Sequence, residues 1–410
     1  MSGIFGFIGR GNAFVEVRSG LESLSHRGQE SWGIVSGTRE TSFAEVRRRG
    51  SIFLSLPDRL HFGSVAIGHV RYPTAGEASE RNAQPIVGTF RKEKVALVHN
   101  GHIPRYRHLM EEMGGLFQTE TDTEIILHLI ARSEGESFEE KVANALAKLG
   151  RDSAFSLIIL RKGRLIAARD PYGFRPLSLA RRGEEDDYEW AIASETCAFR
   201  NQFEFIGDVE PGQMVVIDRD RLETRPFASP NPRPCILECM DYASPASNVF
   251  SRNVYEFREQ AGALLAEGEN EKADTIIPIP RAAVPAALGF HSATAIPFRE
   301  AVTTVGEIGR IFIISKEKDR KGVNLPGRPA FYIDEQNILF HQGAQTLFSQ
   351  VATIPALLNR PLHIASGDDL LSFLFGPISG FAHQIGDFPK TCGKLMLILS
   401  QPGAVLDHLR

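Results

Sequence analysis

The sequence predicts a mixed α/β protein with two domains. Its 410 residues are enough that one hydrophobic core is expected to give way to two. Apolar runs typical of strands alternate with helical patterns in the first half, and strand, helix and strand alternate in the second, as in a parallel sheet. Three prolines within 227–234 exclude a helix or a central strand there, so we expect a linker between the halves.

Composition and charge exclude several classes of protein. There are 46 basic and 50 acidic residues, which give a net charge of −4 and no reason to expect nucleic-acid binding. No apolar run approaches the ~18 residues that span a bilayer, and the first residues lack the basic region of a secretory signal. We therefore expect a cytoplasmic protein that binds neither nucleic acid nor membrane.

The cysteines predict neither a disulfide scaffold nor a metal site. The chain has 4 cysteines, and none of them forms a Cys-x-x-Cys motif or a Cys/His cluster. We expect no structural zinc and no other bound metal.

Each element of the first half is predicted from its own pattern. Short apolar runs predict strands at 4–8, 64–70 and 95–99, and a hairpin whose strands are 153–160 and 164–168. Thr121 and Glu124 fit a capping box at the start of a helix. Helical spacing from Phe138 to Leu149 predicts a second helix, with Gly150 where it would stop.

The second half alternates helices and buried strands. Apolar residues on one face predict an amphipathic helix over 254–267, and 283–290 suggests another. Apolar runs predict strands at 275–280 and 330–333, the second of which ends in Asp334 and Glu335. This order predicts a parallel sheet.

Four polar positions of the first half carry chemistry suited to an amide or amino-acid substrate. The planar guanidinium group of Arg71 could donate two parallel hydrogen bonds to a carboxylate. Asp122, near a predicted helix start, would accept hydrogen bonds from an α-ammonium group. Asn100 and the backbone N–H of Gly101 would form an oxyanion hole, because acyl transfer needs preorganised donors.

The same residues have structural explanations when each is taken alone. An Asn-Gly pair after a strand is typical of a hairpin turn, and 121–124 is typical of a helix cap. His69, His99 and His128 lie in apolar segments, so core or supporting roles are expected of them rather than catalysis.

Several segments together resemble the amidophosphoribosyltransferase family, the glutamine-dependent first enzymes of purine biosynthesis. The resemblance is nearly continuous over about 1–225, weaker from Cys235 to about Phe312, and absent after about 346. The segments that carry it are 24–31, 68–76, 82–85, 99–101, 121–124, 169–177 and 193–199.

The resemblance implies an architecture for each half. Residues 1–228 would form a four-layer αββα domain of the N-terminal nucleophile type, a class II glutamine amidotransferase. Residues 235–410 would form a smaller parallel α/β domain like a phosphoribosyltransferase, in which 347–410 is unrecognised. Family members assemble, so the resemblance also implies a homo-oligomer or a hetero-oligomer with a homologue.

The resemblance also assigns roles in the site. Position 2 is the catalytic nucleophile, so the chain would carry no tail before it. Asn100 and Gly101 are the oxyanion hole. Arg71, Thr74 and Asp122 bind glutamine, and Asp334 and Glu335 stand where the family holds the ribose hydroxyls.

The chain departs from the family at both sites. The family begins Met-Cys-Gly-Ile, whereas Ser2 stands here in place of the cysteine, and a hydroxyl is a far weaker nucleophile than a thiol. In the second half the phosphate-binding turn is replaced by a segment with Leu339 and Phe340, and the Asp-Ser pair of the pyrophosphate loop is missing. Magnesium would be needed only if that second site works.

No other cofactor is expected. Some relatives hold an iron–sulfur cluster on four cysteines, and Cys235 stands where one ligand would. Cys239 and Cys392 do not supply the remaining spacing, so the sequence predicts no cluster.

These departures leave three hypotheses for the function. The chain is a diverged relative with lost or strongly reduced activity that acts by binding glutamine or a related amide, or by regulating a homologue. Alternatively it is an active amidotransferase that makes phosphoribosylamine from glutamine and phosphoribosyl pyrophosphate, in which case the serine would be an engineered change. In the third hypothesis it is an amidohydrolase with a serine nucleophile.

Overall fold

Two compact units make up the described part of the chain. A computed structural model describes residues 1–39, 43–53, 63–72, 79–114, 117–149, 153–185, 187–218, 221–267, 275–278, 282–300, 302–304, 331–333 and 363–365. The described residues of the first unit lie in Met1–Glu238 and Ala246–Ser251. Cys239–Pro245 and Arg252–Phe312 belong to the second unit.

Strands dominate the first unit. In chain order β1 to β13 are Gly3–Ile8, Ser31–Gly37, Ala44–Arg49, Val65–Arg71, Ile86–Phe90, Glu93–His102, Ala154–Arg161, Arg164–Arg169, Ser178–Arg182, Glu189–Ala193, Glu204–Asp208, Gln213–Asp218 and Arg221–Pro226. They form a 7-stranded sheet in the order β11-β9-β10-β1-β4-β2-β3 and a 6-stranded sheet in the order β13-β12-β8-β7-β6-β5. The predicted strands and the predicted hairpin of β7 and β8 are confirmed.

Helices cover the outer faces of both sheets. In chain order α1 to α4 are Ala13–Ser23, Tyr106–Met113, Thr123–Arg132 and Phe138–Lys148. Short 3₁₀ segments occupy Ser25–Arg27, Glu80–Asn82 and Thr196–Gln202. Of the described helices, none combines the length and the apolar character that crossing a bilayer requires.

Three apolar cores separate four layers. One lies between the sheets and contains Ile4, Ile67 and Val98. A second lies between the 7-stranded sheet and α1, where Phe5 packs with Phe14. A third joins the 6-stranded sheet to α3 and α4. Because neighbouring residues of a strand point to opposite faces, Ile4 and Phe5 serve different cores. The αββα arrangement is confirmed.

The start of β1 lies in the middle of its sheet. β1 pairs antiparallel with β4, and Gly3 stands opposite Val70. It also pairs with β10, where Phe5 stands opposite Ala193. The residue before β1 is therefore held beside the last residues of β4.

One predicted helix start is wrong in detail. The helix α3 begins at Thr123, with Asp122 at the N-cap position. The Asp122 side chain accepts no hydrogen bond from the N–H groups of the first helical turn. Glu124 instead accepts hydrogen bonds from the backbone N–H groups of Gln118 and Thr119, at 2.8 and 2.6 Å. The carboxylate is thus used to fix the loop before the helix, so Thr121 and Glu124 form no capping box.

The proline-rich segment is extended and paired rather than free. The N–H of Asn231 donates to the carbonyl of Pro171 at 2.8 Å, and that of Arg233 donates to Tyr172 at 2.7 Å. The N–H of Cys235 then donates to Phe174 at 3.2 Å. Alternate residues of the segment thus bond to one loop of the first unit, as the edge of a ladder does.

Helix α5 packs closely on α6 in the second unit. They span Val254–Glu267 and Val284–Thr294, near the predicted positions. A Cβ atom on Gly262 would overlap the carbonyl oxygen of Ala286, and one on Gly289 would overlap that of Glu259. The two backbones can approach this closely only because both positions are glycine.

The short strands of the second half pair in both directions. Strands β14 to β19 are Asn248–Val249, Arg252–Asn253, Ile276–Pro278, Val302–Thr304, Phe331–Ile333 and His363–Ala365. β16 pairs parallel with β19, but β18 pairs antiparallel with β17. The parallel arrangement predicted for the strand at 330–333 is therefore wrong. This strand, β18, pairs with β17, which the sequence analysis did not predict, and the pairing is antiparallel.

Candidate functional site

Ser2 is buried at the start of β1 and held at two atoms. Its exposed fraction is 8%. The backbone N–H of Tyr72 donates to Ser2 Oγ at 3.2 Å. The Nε of Arg27 donates to the carbonyl oxygen of Ser2 at 2.9 Å. The hydroxyl therefore has a defined position beside the end of β4.

Arg71, the last residue of β4, is held by a buried carboxylate. Its Nη1 donates to Glu30 Oε2 at 2.7 Å, and Ser31 Oγ donates to the same oxygen at 2.9 Å. Among the described residues nothing pairs with the other oxygen, Glu30 Oε1, although it is buried. The guanidinium is thus oriented by Glu30, which sequence reasoning did not single out.

Asn100 lies within β6, not at a turn. It stands opposite Ser156 of β7, and the strand continues to His102. The residue is fully buried, yet neither Nδ2 nor Oδ1 has a hydrogen-bond partner in the part of the chain that the structure describes. Leaving a buried polar group unpaired costs about 1–3 kcal/mol. A group outside the described protein is therefore the natural partner for this amide.

Gly101 follows in the same strand and is required to be glycine. An ideal Cβ at this position would overlap the carbonyl oxygen of Ala154. The hairpin turn expected of an isolated Asn-Gly pair is therefore wrong, because pairing with β7 continues through both residues.

Asp122 is buried beside the end of β6. Its Oδ2 accepts a hydrogen bond from the N–H of Ile103 at 2.9 Å. The Nδ1 atoms of His102 and His99 lie 3.7 and 4.0 Å from its two oxygens. The carboxylate thus anchors the segment that follows Asn100.

His69 and His99 are buried in β4 and β6, the strands that carry Arg71 and Asn100. Burial lowers the pKa of His69 well below its ordinary value, and the nearby positive charge of Arg71 lowers it further. Burial also lowers the pKa of His99, partly opposed by Asp122. Both rings are therefore neutral at physiological pH, as expected of core or supporting residues.

Gln84 connects the end of β6 to α3 and was missed as a functional candidate. Its Oε1 accepts from the N–H of His99 at 2.6 Å, and its Nε2 donates to Thr123 Oγ1 at 3.0 Å. The only sequence signal was its place in the segment 82–85, which carries part of the family resemblance.

A buried Arg–Glu cluster beside Ser2 was also missed. Arg27 pairs with Glu195 and Glu238, and all three are buried. The carboxylate of Glu238 comes from beyond the proline-rich segment, where no motif pointed to a site.

The predicted residues meet at one end of the sheet sandwich. Ser2 and Arg71 lie at adjoining ends of β1 and β4. β6 contacts β4 across the sandwich. Asn100 follows His99 directly. A buried hydroxyl, a guanidinium, a carboxylate and an unpaired amide thus lie on the strands and loops at this end of the sandwich.

Three predicted positions lie outside the described residues. They are Thr74, Asp334 and Glu335. In the described residues no group of three or more His, Cys, Asp or Glu side chains is placed to hold a metal ion.

Comparison with known proteins agrees with the fold. Residues 69–201 match the model of the glutamine amidotransferase domain. Amidophosphoribosyltransferase 1, chloroplastic, of Arabidopsis thaliana is 36% identical over 337 residues, covering 80% of this chain and 58% of that protein. The chain therefore spans less than two thirds of the length of this relative.

Two solved structures are similar over most of the chain. The Bacillus subtilis glutamine phosphoribosylpyrophosphate amidotransferase complexed with ADP and GMP has a TM-score of 0.76 and 28% identity, covering 89% of this chain and 81% of that one. A structure of the allosteric regulatory enzyme of purine biosynthesis has a TM-score of 0.77 and 30% identity, covering 89% and 80%. On this identity and coverage, the chain belongs to the amidophosphoribosyltransferase family of purine biosynthesis.

Proposed function

We propose that the first unit binds glutamine and that the chain is a diverged family member with lost or strongly reduced amidotransferase activity. The observation that carries the binding is Asn100. Its amide is fully buried with both polar atoms unpaired among the described residues. Such a group is retained at a cost to stability, which a bound ligand would offset.

Each contact proposed for glutamine uses a group of matching chemistry. The side-chain amide would lie against Ser2 Oγ, and its carbonyl oxygen would accept from Asn100 Nδ2 and the N–H of Gly101. The α-carboxylate would pair with Arg71 and the α-ammonium group with Asp122. Thr74 would complete the contacts to the ligand.

The reduced activity follows from the nucleophile. A hydroxyl is far less acidic than a thiol and depends more on its base, which in this family is the free amine of residue 2. A pocket built for sulfur would lose most of its rate with Ser2. A loss of about 10³-fold corresponds to roughly 4 kcal/mol of barrier.

We also propose that phosphoribosyl transfer is lost. The sequence of 336–346, which follows Asp334 and Glu335, does not contain the Arg-Gly-Thr-Thr pattern of the turn whose N–H and hydroxyl groups would cradle a phosphate. A protein that retains one site would then act on a homologue or on itself through assembly, as a regulatory subunit does.

Calorimetric titration tests the binding. Glutamine should bind to the unmodified chain, and phosphoribosyl pyrophosphate should not. Asn100→Leu should abolish the heat of glutamine binding while the free energy of unfolding stays the same or rises, because an apolar side chain of similar size removes the unpaired groups.

A matched control is available in the same unit. Ser36 is also fully buried and its hydroxyl also lacks a partner among the described residues, but it lies on β2 beside the other end of β4. Ser36→Ala should leave glutamine binding unchanged. Binding that survives Asn100→Leu would refute the proposed site, and tight binding of phosphoribosyl pyrophosphate would refute the loss of the second site.

A serine amidohydrolase is the second candidate, because Ser2 Oγ has a fixed position next to the N–H of Tyr72. Mass spectrometry of the purified chain should first establish whether Met1 has been removed. Ammonia release from glutamine above the rate of a Ser2→Ala variant would favour this candidate over the inactive one.

A further inference from the structure

The buried guanidinium of Arg27 connects Ser2 to two carboxylates. Its Nε donates to the carbonyl oxygen of Ser2, and its Nη1 donates to Glu195 Oε1. Its Nη2 donates to both oxygens of Glu238, at 2.8 and 3.1 Å. All three guanidinium nitrogens are therefore used, and one of them sets the position of the Ser2 backbone.

The two carboxylates of this cluster keep Arg27 charged. Burial alone would disfavour a charged Arg27, but the carboxylates of Glu238 and Glu195 raise its pKa above the ordinary value. A buried ion pair is stable only when the geometry is good and the remaining polar atoms are satisfied. With both carboxylates in place the guanidinium is charged and has little freedom to rotate.

Glu195 is fully engaged without Glu238. His26 Nε2 lies 2.9 Å from the same oxygen that Arg27 uses, and Ser247 Oγ donates to the other oxygen at 2.8 Å. The preceding residue, Ser194, accepts the N–H of Ile4 on its Oγ at 3.0 Å. Glu195 therefore belongs to the framework that holds β1.

Glu238 reaches the cluster from a different part of the chain. It is the first residue of a short π-helix, Glu238–Tyr242, and its N–H donates to the carbonyl of Cys235 at 3.0 Å. Arg175 Nη1 donates to its Oε1 at 3.1 Å. Its carboxylate thus lies between two arginines, and only one of them touches Ser2.

We infer that Glu238 is a positioning residue for Ser2, acting through Arg27. Ser2 has two fixed atoms, the carbonyl oxygen at Arg27 and Oγ at the N–H of Tyr72. Without Glu238, Arg27 keeps its bond to Glu195 but loses the two bonds at Nη2 that limit its rotation, which weakens one of the two anchors of the Ser2 peptide. The effect of Glu238 on the reaction of residue 2 with glutamine rests on the proposed glutamine site. Its effect on the position of the Ser2 peptide does not depend on that site.

Hydrogen exchange of the intact chain measures the anchoring without any ligand. Glu238→Gln should raise the exchange rate of the amides at Gly3 and Ile4 about tenfold relative to other β1 amides, equivalent to roughly 1.4 kcal/mol of local opening. Arg175→Lys, which loosens Glu238 from its other side, should give a smaller rise and serves if Glu238→Gln does not fold.

The control is an Arg–Glu pair at the opposite end of β1. Glu189 accepts from Arg182 Nε and from the N–H groups of Arg10 and Gly11. Glu189→Gln should leave exchange at Gly3 and Ile4 unchanged. Equal exchange at those amides in the parent, Glu238→Gln and Arg175→Lys chains would overturn the inference.

A second measurement reports on the reactive atom. The Ser2→Cys chain and the same chain with Glu238→Gln are compared. In each, we measure the rate at which the thiol at position 2 is alkylated by iodoacetamide and, separately, by a diazoketone analogue of glutamine. Glu238→Gln should slow the analogue about tenfold while the iodoacetamide rate changes less than about twofold, because only the analogue needs an oriented thiol.

The two measurements separate two failures. If the Ser2→Cys chain reacts with iodoacetamide but never with the analogue, the proposed glutamine site has failed, and hydrogen exchange alone decides the role of Glu238. If both reagents slow equally in Glu238→Gln, the carboxylate affects the exposure of residue 2 and not its orientation, and the inference is wrong.

Discussion

At residue 2, the exchange of sulfur for oxygen alters acidity more than shape. Ser2 is held by hydrogen bonds at its carbonyl oxygen and at its γ atom. A cysteine would have a carbonyl oxygen and a γ atom at the same places. A thiol is partly ionised near neutral pH, whereas a hydroxyl is not. The difference between this chain and an active glutaminase should therefore be concentrated in one atom.

Ser2→Cys is expected to raise glutamine hydrolysis by about 10³-fold over the unmodified chain, close to 4 kcal/mol of barrier. The measurement is glutamate release at saturating glutamine, after mass spectrometry has shown that Met1 is removed from both proteins. Ser36→Cys, a serine-to-cysteine change in β2, should give no increase. No gain from Ser2→Cys, with the terminus free and glutamine bound, would mean that other parts of the site have also been lost.

Residue chemistry predicted some of the site and missed the rest for a physical reason. Arg71, Asn100 and Asp122 were found because their side chains match groups of an amino-acid amide, although their catalytic and binding roles stay predictions. The pairing of Arg27 with Glu238 could not be found, because 211 residues separate the partners. A single sequence carries no sign of which distant charges meet in the core.

At the scale of elements, the candidate oxyanion-hole groups of Asn100 and Gly101 lie within β6, where the strand is paired with β7. Gly101 has no room for a side chain against Ala154. A strand is more rigid than a turn, so Asn100 and Gly101 are held with little freedom. The cost is a glycine in a strand, where its flexibility is unfavourable.

Gly101→Ala should lower the free energy of unfolding by about 1–3 kcal/mol, since the added methyl overlaps backbone of β7. Urea unfolding measures this. Gly88→Ala in the neighbouring strand β5 is the control, because its Cβ would meet only Leu127 at 3.4 Å, an ordinary contact. That variant should change stability by less than about 1 kcal/mol, in either direction. Similar losses in both variants would show that strand glycines, not the close approach at Ala154, account for the effect.

The existence of an element was easier to predict than its details. Strands with a continuous apolar run, such as β1 and β7, were predicted because such a run is typical of a buried strand. The helix α3 was predicted but its first turn was not, because Glu124 bonds to a preceding loop whose path the sequence does not reveal. Strand β18 has three residues and takes its direction from β17.

At the scale of the whole first unit, burying neutral histidines couples stability to pH. The pKa values of His69 and His99 are lowered in the folded chain, mainly by burial. Below their ordinary value of about 6.5 the unfolded chain binds protons that the folded chain does not. The stabilisation is therefore complete above about pH 6.5 and is lost as the pH falls below it.

The free energy of unfolding should fall below pH 6.5 by up to roughly 1.4 kcal/mol per pH unit for each of the two histidines. Urea unfolding at pH 7.5, 6.5 and 5.5 gives the slope. His69→Gln should flatten it by about one proton. A slope that His69→Gln does not change would mean that His69 is already protonated in the fold.

The pairing of the proline-rich segment with the loop at 171–174 has a consequence for how such a chain can be divided in evolution. A gene split at the prolines would give a first polypeptide that lacks Glu238 and the strand-like partner of that loop. Such a fragment would leave Arg175 without the carboxylate that it contacts here, would leave Arg27 with one carboxylate instead of two, and would have unpaired carbonyl groups at its edge. Gene fission or recombination at that junction would therefore be selected against, even though the composition of the sequence changes there.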